Sequence, residues 1–553
     1  MNISYPPTRI FGSCSLKAIA AAALFLLFAP SSSLSQSPTK ISDAEIERMV
    51  AKFKTDSRGP YRDIRWYCKT GEVLPPSERC PTPGGVQRAR YREEVVSLAE
   101  VRHVFLGQIL STTSKEDFWD EANYQSRLKQ YQLEKFLRTA DNGWVLRRAQ
   151  FYRGAFQVED EEAWGLDFLN WLLSDTLALK KQFFLLRQAV RDIPHYEDDS
   201  RTQNIRAVSK QLSDEYSPFM DLRIKIHGQP EAADIPKVEA FRDRHRNKLS
   251  QSQLKKFDQL LADMKAVYKP ADLNSLKKHL AHLPDTASLH RALSDFIADH
   301  AHLPPGCDKT VGISDMLWEI RTGISHLPDG RSRLALLDIS NALEEVIFKE
   351  ISAWKVEKVN DALEKIYHLG KASAGAGFVE IWEWEAMQDD LSLKAEGEVK
   401  LKEFTFYLDR ARSLVEWGVG MTRAVYSDVI GLFSGFEPLA YGFLDDRIRS
   451  SVLLPLGDEV GDLGDFISAQ SSLSNQVLDI SNQSQVRGIN PGFAMGELVV
   501  IDEASEDMEV AGNKIYVFNR PPSDLKPVAG IATVTEGNMV SHVQLLARNL
   551  GIP

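Results

Sequence analysis

Between roughly residues 40 and 480, apolar side chains return at helical intervals among charged ones, and strand-like alternation is scarce. Residues 166–190, 255–267 and 334–363 carry the pattern most clearly. They predict a long, mainly α-helical region spanning 36–480, long enough for two or more subdomains. The periodicity then changes. Lys514-Ile515-Tyr516-Val517-Phe518 and the β-branched run at 530–534 predict short strands. Glu536-Gly537-Asn538 is turn chemistry. From Val543 onward the chain reads as a helix, with Leu545, Leu546 and Leu550 available to pack inward and Gly551 as its stop.

That last helix carries the candidate chemistry. Ser541 followed by Gln544 fits a capping box, so Ser541 is expected as N-cap and His542 as the first helical residue. Unpaired N–H groups and the positive end of the helix dipole would then lie where a phosphoryl group on the imidazole would sit. A neutral imidazole is a good nucleophile near neutral pH. Arg548 stands about 1.7 turns further on, and faces His542 only if the helix end or a partner surface brings it round.

Three blocks in order resemble one known family. Gly488-Ile489-Asn490-Pro491-Gly492, running on to Gly496-Glu497-Leu498-Val499, is similar to the first strand of the swivelling phosphohistidine domain of phosphoenolpyruvate-utilising enzymes and dikinases. The stretch 514–530 resembles its next strand and loop, and Ser541-His542, Ala547-Arg548 and Gly551-Ile552-Pro553 resemble its phosphohistidine segment. The family includes phosphoenolpyruvate synthase, pyruvate phosphate dikinase and glucan water dikinase. Many members carry two glycines and a Thr just ahead of the histidine. Gly537-Asn538 and Val540 stand in that region here, closer to the glucan water dikinase variant.

The resemblance implies a multidomain phosphotransferase. A small α/β (β/β/α) domain at 485–553 would carry a phosphoryl group on His542, supported by Ser541, Gly537 and Arg548. The donor in such enzymes is an ATP-grasp nucleotide domain that binds ATP and Mg2+. Upstream, Gly370-Lys371-Ala372-Ser373-Ala374-Gly375-Ala376-Gly377-Phe378 has no phosphate-loop pattern and reads as a small-residue linker. The nucleotide domain is therefore expected beyond residue 553, and the carrier domain as cut short: part of an enzyme, incomplete by itself. The acceptor is left open by the sequence. The alternative is a secreted, non-catalytic helical binding protein that retains a remnant swivelling domain.

Residues 1–35 look like an export signal: Arg9 and Lys17 precede an apolar run at 18–29, and Ser33-Leu34-Ser35 offers a cleavage site. The run is well short of the roughly 20 residues of a membrane span, so no stable span is expected, with an uncleaved anchor as the alternative. Export places the protein in a periplasmic or extracellular space, whereas ATP use points to the cytoplasm. Cys68 and Cys80 flank a short loop and either pair after export or remain free thiols, with Cys307 left over.

The net charge of −11, without a basic patch interleaved with aromatics, argues against a nucleic acid partner. His279, His282, His290, His300, His302 and His326 invite a metal reading, but Leu-Pro recurs beside several of them, as at helix ends. No metal site is predicted. The acidic run 159–162 reads as the start of a helix. Asp445, Asp446, Arg447 and Arg449 read either as a docking patch or as salt bridges within a helix, and 457–480, opening with Asp458, Glu459 and Asp462 between glycines, as a linker.

Overall fold

The first helix, α1 (Asp43–Thr55), shows how this chain builds its elements. Ser42 and Glu45 form a reciprocal capping box, with the Ser42 N–H donating to Glu45 Oε2 at 2.7 Å. Ile46, Val50 and Phe53 then fall on one buried face. The computed structural model describes residues 41–149, 155–195, 201–228, 232–268, 272–470, 475–477, 480–483, 488, 490, 492–502, 508–519, 526–533, 540 and 542–553. The export-signal reading of 1–35 lies outside them.

After α1 come three antiparallel strands, β1 (Tyr61–Cys68), β2 (Val73–Leu74) and β3 (Gly85–Tyr91), in the order β2-β1-β3. The hydrophobic pattern along the chain does not predict this sheet. Most β1 positions are half-buried and Arg and Asp are mixed among its aromatics, so clean alternation is lost. A disulfide joins Cys68 and Cys80, whose Cα atoms are 5.3 Å apart. Arg88 reaches out of β3 to grip Asp160 with two hydrogen bonds, at 2.7 and 2.9 Å.

The principal helices that follow are α2 (Ser126–Ala140), α3 (Ala155–Ser174), α4 (Phe183–Asp192), α5 (Arg201–Glu215), α6 (Gln251–Val267), α7 (Cys307–Gly323), α8 (Gly330–Glu350), α9 (Val359–Gly375), α10 (Leu401–Ser434), α11 (Gly442–Arg449) and α12 (Leu453–Gln470). Further helices, among them Ile235–His245 and Ser288–His300, and shorter helical turns connect them. The acidic run lies within α3 rather than at its start. The period at 166–190 is broken because Asp175 accepts from the N–H groups of Leu177 and Ala178 and starts a new helix.

Two expected linkers are helices. The small residues at 370–376 continue α9 and its end, where they let α7 come close: a methyl group at Gly375 would lie 2.6 Å from the Leu317 backbone. The stretch from Gly457 to Gly464 lies inside α12. Its Leu453, Leu456, Val460, Leu463 and Ile467 form one buried face, and Glu459 is paired with Lys365 at 2.8 Å. The acidic residues that suggested a solvated linker occupy its other faces or a buried ion pair.

Among the described residues the apolar interior falls into three clusters. The largest runs from Ile46 to Leu545, a second joins α5 and α6 around Phe219 and Phe257, and a third lies in the C-terminal sheet region. The helix α10, about 51 Å long at 1.5 Å per residue, is the spine of the first. Buried Tyr407, Ala411, Leu414, Gly418, Thr422, Tyr426, Val429 and Phe433 recur along it at intervals of three and four. No described helix is long and apolar enough to cross a membrane.

Charged side chains also enter this interior. Arg187 on α4, fully buried, bonds Glu344 Oε2 on α8 at 2.6 Å and the Ser340 hydroxyl and carbonyl at 2.9 Å each. Glu344 accepts in turn from the Val452 N–H at 3.1 Å. One turn on, Asp192 holds Arg447 of α11 at 2.7 Å and accepts from Gln132 of α2 at 3.0 Å. Removing one member should leave its partner charged and unpaired in a dry core. Arg187→Met is expected to lower stability by about 3–5 kcal/mol. Adding Glu344→Gln, which keeps an acceptor for Val452, should recover much of that loss in urea unfolding.

A second test concerns pH. His195 Nδ1 meets the Ile193 carbonyl at 2.8 Å and Nε2 meets Asp338 at 2.9 Å. Burial opposes the charged ring, but the Asp338 hydrogen bond and charge outweigh it and hold His195 above its ordinary 6.5. Burial prevails at the neighbouring His279 and holds it below 6.5. The His195 contribution is therefore present in full below about pH 6.5 and fades as pH rises through the raised folded-state value. The stability gap between the native protein and His195→Gln should be widest near pH 5.5 and narrow toward about pH 8.5. A gap that widens with pH would contradict the pairing.

Candidate functional site

The C-terminal region begins with a hairpin, β4 (Asn475–Val477) and β5 (Ile480–Gln483), and continues into β6 (Glu497–Ile501), β7 (Lys514–Phe518) and β8 (Gly530–Thr533). These last three form a parallel sheet in chain order, with Val499 opposite Tyr516 and Tyr516 opposite Ile531. Tyr516 and Phe518, two residues apart, point into one core with Val528. The helix α13 (His542–Asn549) follows. Helical region, parallel strands and closing helix agree with the coarse architecture expected from the sequence pattern.

Two faces of α13 are committed. Leu545 is buried in the large helical core, as is Val540 just ahead of the helix, while Leu546 and Ala547 pack with Ile552 on the sheet side. The helix is thus wedged between the body and the small sheet. Its exit is fixed by Gly551 in the left-handed region (φ +68°), with Gly551 N–H donating to Arg548 O at 3.2 Å and Ile552 N–H to Ala547 O at 2.8 Å. This is the paired closure that a glycine makes without strain. The chain end then meets the sheet, as Ile531 N–H donates to Pro553 O at 3.0 Å.

His542 is the first residue of α13, the position its sequence context predicts. Nothing further is described of its side chain, and Ser541 and Gly537 lie outside the described residues. Arg548 is engaged elsewhere. Its Nε donates to Asn490 Oδ1 at 3.3 Å, and Asn490 in turn donates to Ile552 O at 3.3 Å. Six residues of helix put Arg548 roughly 120° around the axis from His542. In this arrangement Arg548 ties the segment before β6 to the end of α13.

The elements that meet α13 are charged. It packs against α11, which carries Asp445, Asp446, Arg447 and Arg449, all nearly buried. Arg447 turns into the body toward Asp192, so the segment combines a core salt bridge with the seat for α13. Arg423 of α10 lies within electrostatic reach of Arg548: burial, then this like charge, lowers its affinity for a proton. Such a seat was legible only as a cluster of charges.

The other sequence candidates lie apart from α13. His300 ends the helix Ser288–His300 and stacks on Phe296, and His326 ends a 3-10 turn, as the Leu-Pro context suggested. Glu161 accepts from the Leu110 N–H at 3.2 Å. Burial, then the nearby Glu364 and Asp308, pushes the Cys307 thiol up to about 11, so it is protonated at neutral pH. Among the described residues no group of three or more His, Cys, Asp or Glu gathers where a metal ion could sit.

No family model, curated protein or solved structure matches this chain.

If α13 is seated as described, Leu545→Ala should open a cavity at the junction and cost about 2–5 kcal/mol locally. Amide exchange over 542–549 should quicken while that of α8 stays unchanged. Equal acceleration in both helices would show that the seat is not a local unit.

Proposed function

We propose that the protein is a phosphoryl-carrying part of a dikinase-like phosphotransferase, with His542 as the carrier. The observation that carries the reading is the succession of parallel strands β7 and β8 and then a helix whose first residue is His542. An imidazole at that place combines a nucleophilic nitrogen with unpaired backbone N–H groups and the positive end of a helix dipole. The ring nitrogen would take a phosphoryl group from ATP and pass it to an acceptor, with stabilisation resting on positioning and charge rather than on a general base. Nucleotide and Mg2+ would bind at an ATP-grasp domain outside these residues.

Carriage requires α13 to leave its seat. Releasing Val540 and Leu545 from the core would cost about 3–6 kcal/mol, from 1.5–3 kcal/mol for each buried aliphatic side chain. That is within the range that a new doubly charged group and a partner site can offset. The same burial favours the second reading, a non-catalytic exported protein whose small domain stays fixed on the helical body.

The deciding experiment incubates the full chain, supplemented with the proposed nucleotide domain, with Mg2+ and ATP labelled at the β or γ position. An acid-labile, base-stable label should appear on the native protein, map to His542 by mass spectrometry and vanish in His542→Ala. Label that survives the substitution would falsify the carrier assignment. A native chain that takes up none leaves the fixed binding module as the better reading.

A further inference from the structure

A second place suited to phosphate chemistry lies far from α13 in sequence, at the end of α2. Asn142, Gly143 and Trp144 follow one another in the left-handed region, with φ of 45°, 97° and 47°. The turn is fixed from both sides. Gly143 N–H donates to Arg138 O at 2.6 Å and Arg147 N–H to Trp144 O at 3.1 Å. The fully buried Trp144 side chain donates its indole N–H to Glu437 at 3.0 Å and packs near Phe433 of α10. Around this turn Arg138, Arg147 and Arg148 border a hollow of about 490 Å³, with Asn142 and Gly143 completing its described wall.

Among the described residues the local charges do not cancel. Lys54 takes Asp141 at 2.7 Å and Glu437 at 2.8 Å, and Arg147 takes the other oxygen of Asp141. Both carboxylates are thereby engaged. Arg138 has the Tyr131 ring at 5.7 Å as its described partner, and Arg148 has no described ion pair or hydrogen bond. Among the described residues, four cations thus face two carboxylates. The Nε atoms of Arg138 and Arg147 are also shut off from solvent and donate to no acceptor among the described residues. Buried donors of this kind are normally satisfied.

We propose that this hollow is a binding site for a phosphate-bearing small molecule. Two uncompensated guanidinium charges match the charge of a phosphate group near neutral pH, whereas a carboxylate would neutralise one. Planar guanidinium forks pair with phosphate oxygens through two parallel hydrogen bonds. The hollow is larger than phosphate alone and leaves room for a substituent. The site does not depend on the carrier reading, since it binds and need not transfer.

The test is titration of the full chain with inorganic phosphate and with pyrophosphate at low salt, read by calorimetry and by phosphorus NMR. Saturable binding is expected for at least one of the two. Arg148→Gln, at an exposed residue without described partners, should keep the native urea midpoint and weaken binding about tenfold, the equivalent of one charge-assisted hydrogen bond. Arg138→Gln should act in the same direction. Absence of saturable binding, or affinity unchanged in the Arg138→Gln/Arg148→Gln protein, overturns the site. Acetate displacing phosphate as readily as phosphate itself overturns the ligand class. His542→Ala should bind normally; loss of binding there would place the phosphate at α13 instead.

Discussion

Charged groups buried in the helical core must be paired, and that requirement fixes how the main body fits together. Arg187, Glu344, Asp192 and Arg447 are nearly or fully enclosed, and each finds its partner on a different element. Gln132 joins from α2, Tyr426 of α10 donates to Gln132 at 3.1 Å, and the Val452 N–H closes the corner between α11 and α12. Apolar packing alone tolerates sliding of helices past one another. A buried carboxylate does not, because displacement by one turn leaves a charge without a counterpart. The lattice therefore sets the position of α11, and α11 is the seat of α13.

Function, on the proposed reading, is built on that seat. The small sheet supplies one wall for α13 through Leu546 and Ala547, and the body supplies the other through Leu545. Each contact is modest, so a helix held this way can be well placed and still separable. The charged α11 surface and Arg423 give the junction an electrostatic character that a phosphoryl group on α13 would alter. The arginine-lined hollow beyond α2 shares the same framework, since Glu437 holds Trp144 near the end of α10.

The elements that the local pattern misplaces share one cause. Glycine and acidic residues at 457–464 and small residues at 370–377 resemble linkers when neighbours in space are ignored. In the structure Gly375 is small because α7 passes against it, and Glu459 is acidic because Lys365 waits beside it. The β1–β3 sheet escaped notice because its charged residues are satisfied across the sheet, as Asp63 is by Arg90 at 2.6 Å. Such pairing has no periodic trace in the chain.

The sequence by itself determined the local elements: helical periodicity through the body, the strands at 514–518 and 530–533, and the helix opening at His542 and closing at Gly551. These follow from side-chain period, β-branching and the conformational freedom of glycine, all of which act over a few residues. Only the tertiary structure decided that α13 is shared between two cores, that Arg548 serves Asn490, and that Arg138 and Arg148 face one hollow. Those outcomes depend on charge pairing and close packing between residues tens to hundreds of positions apart, which no local pattern encodes.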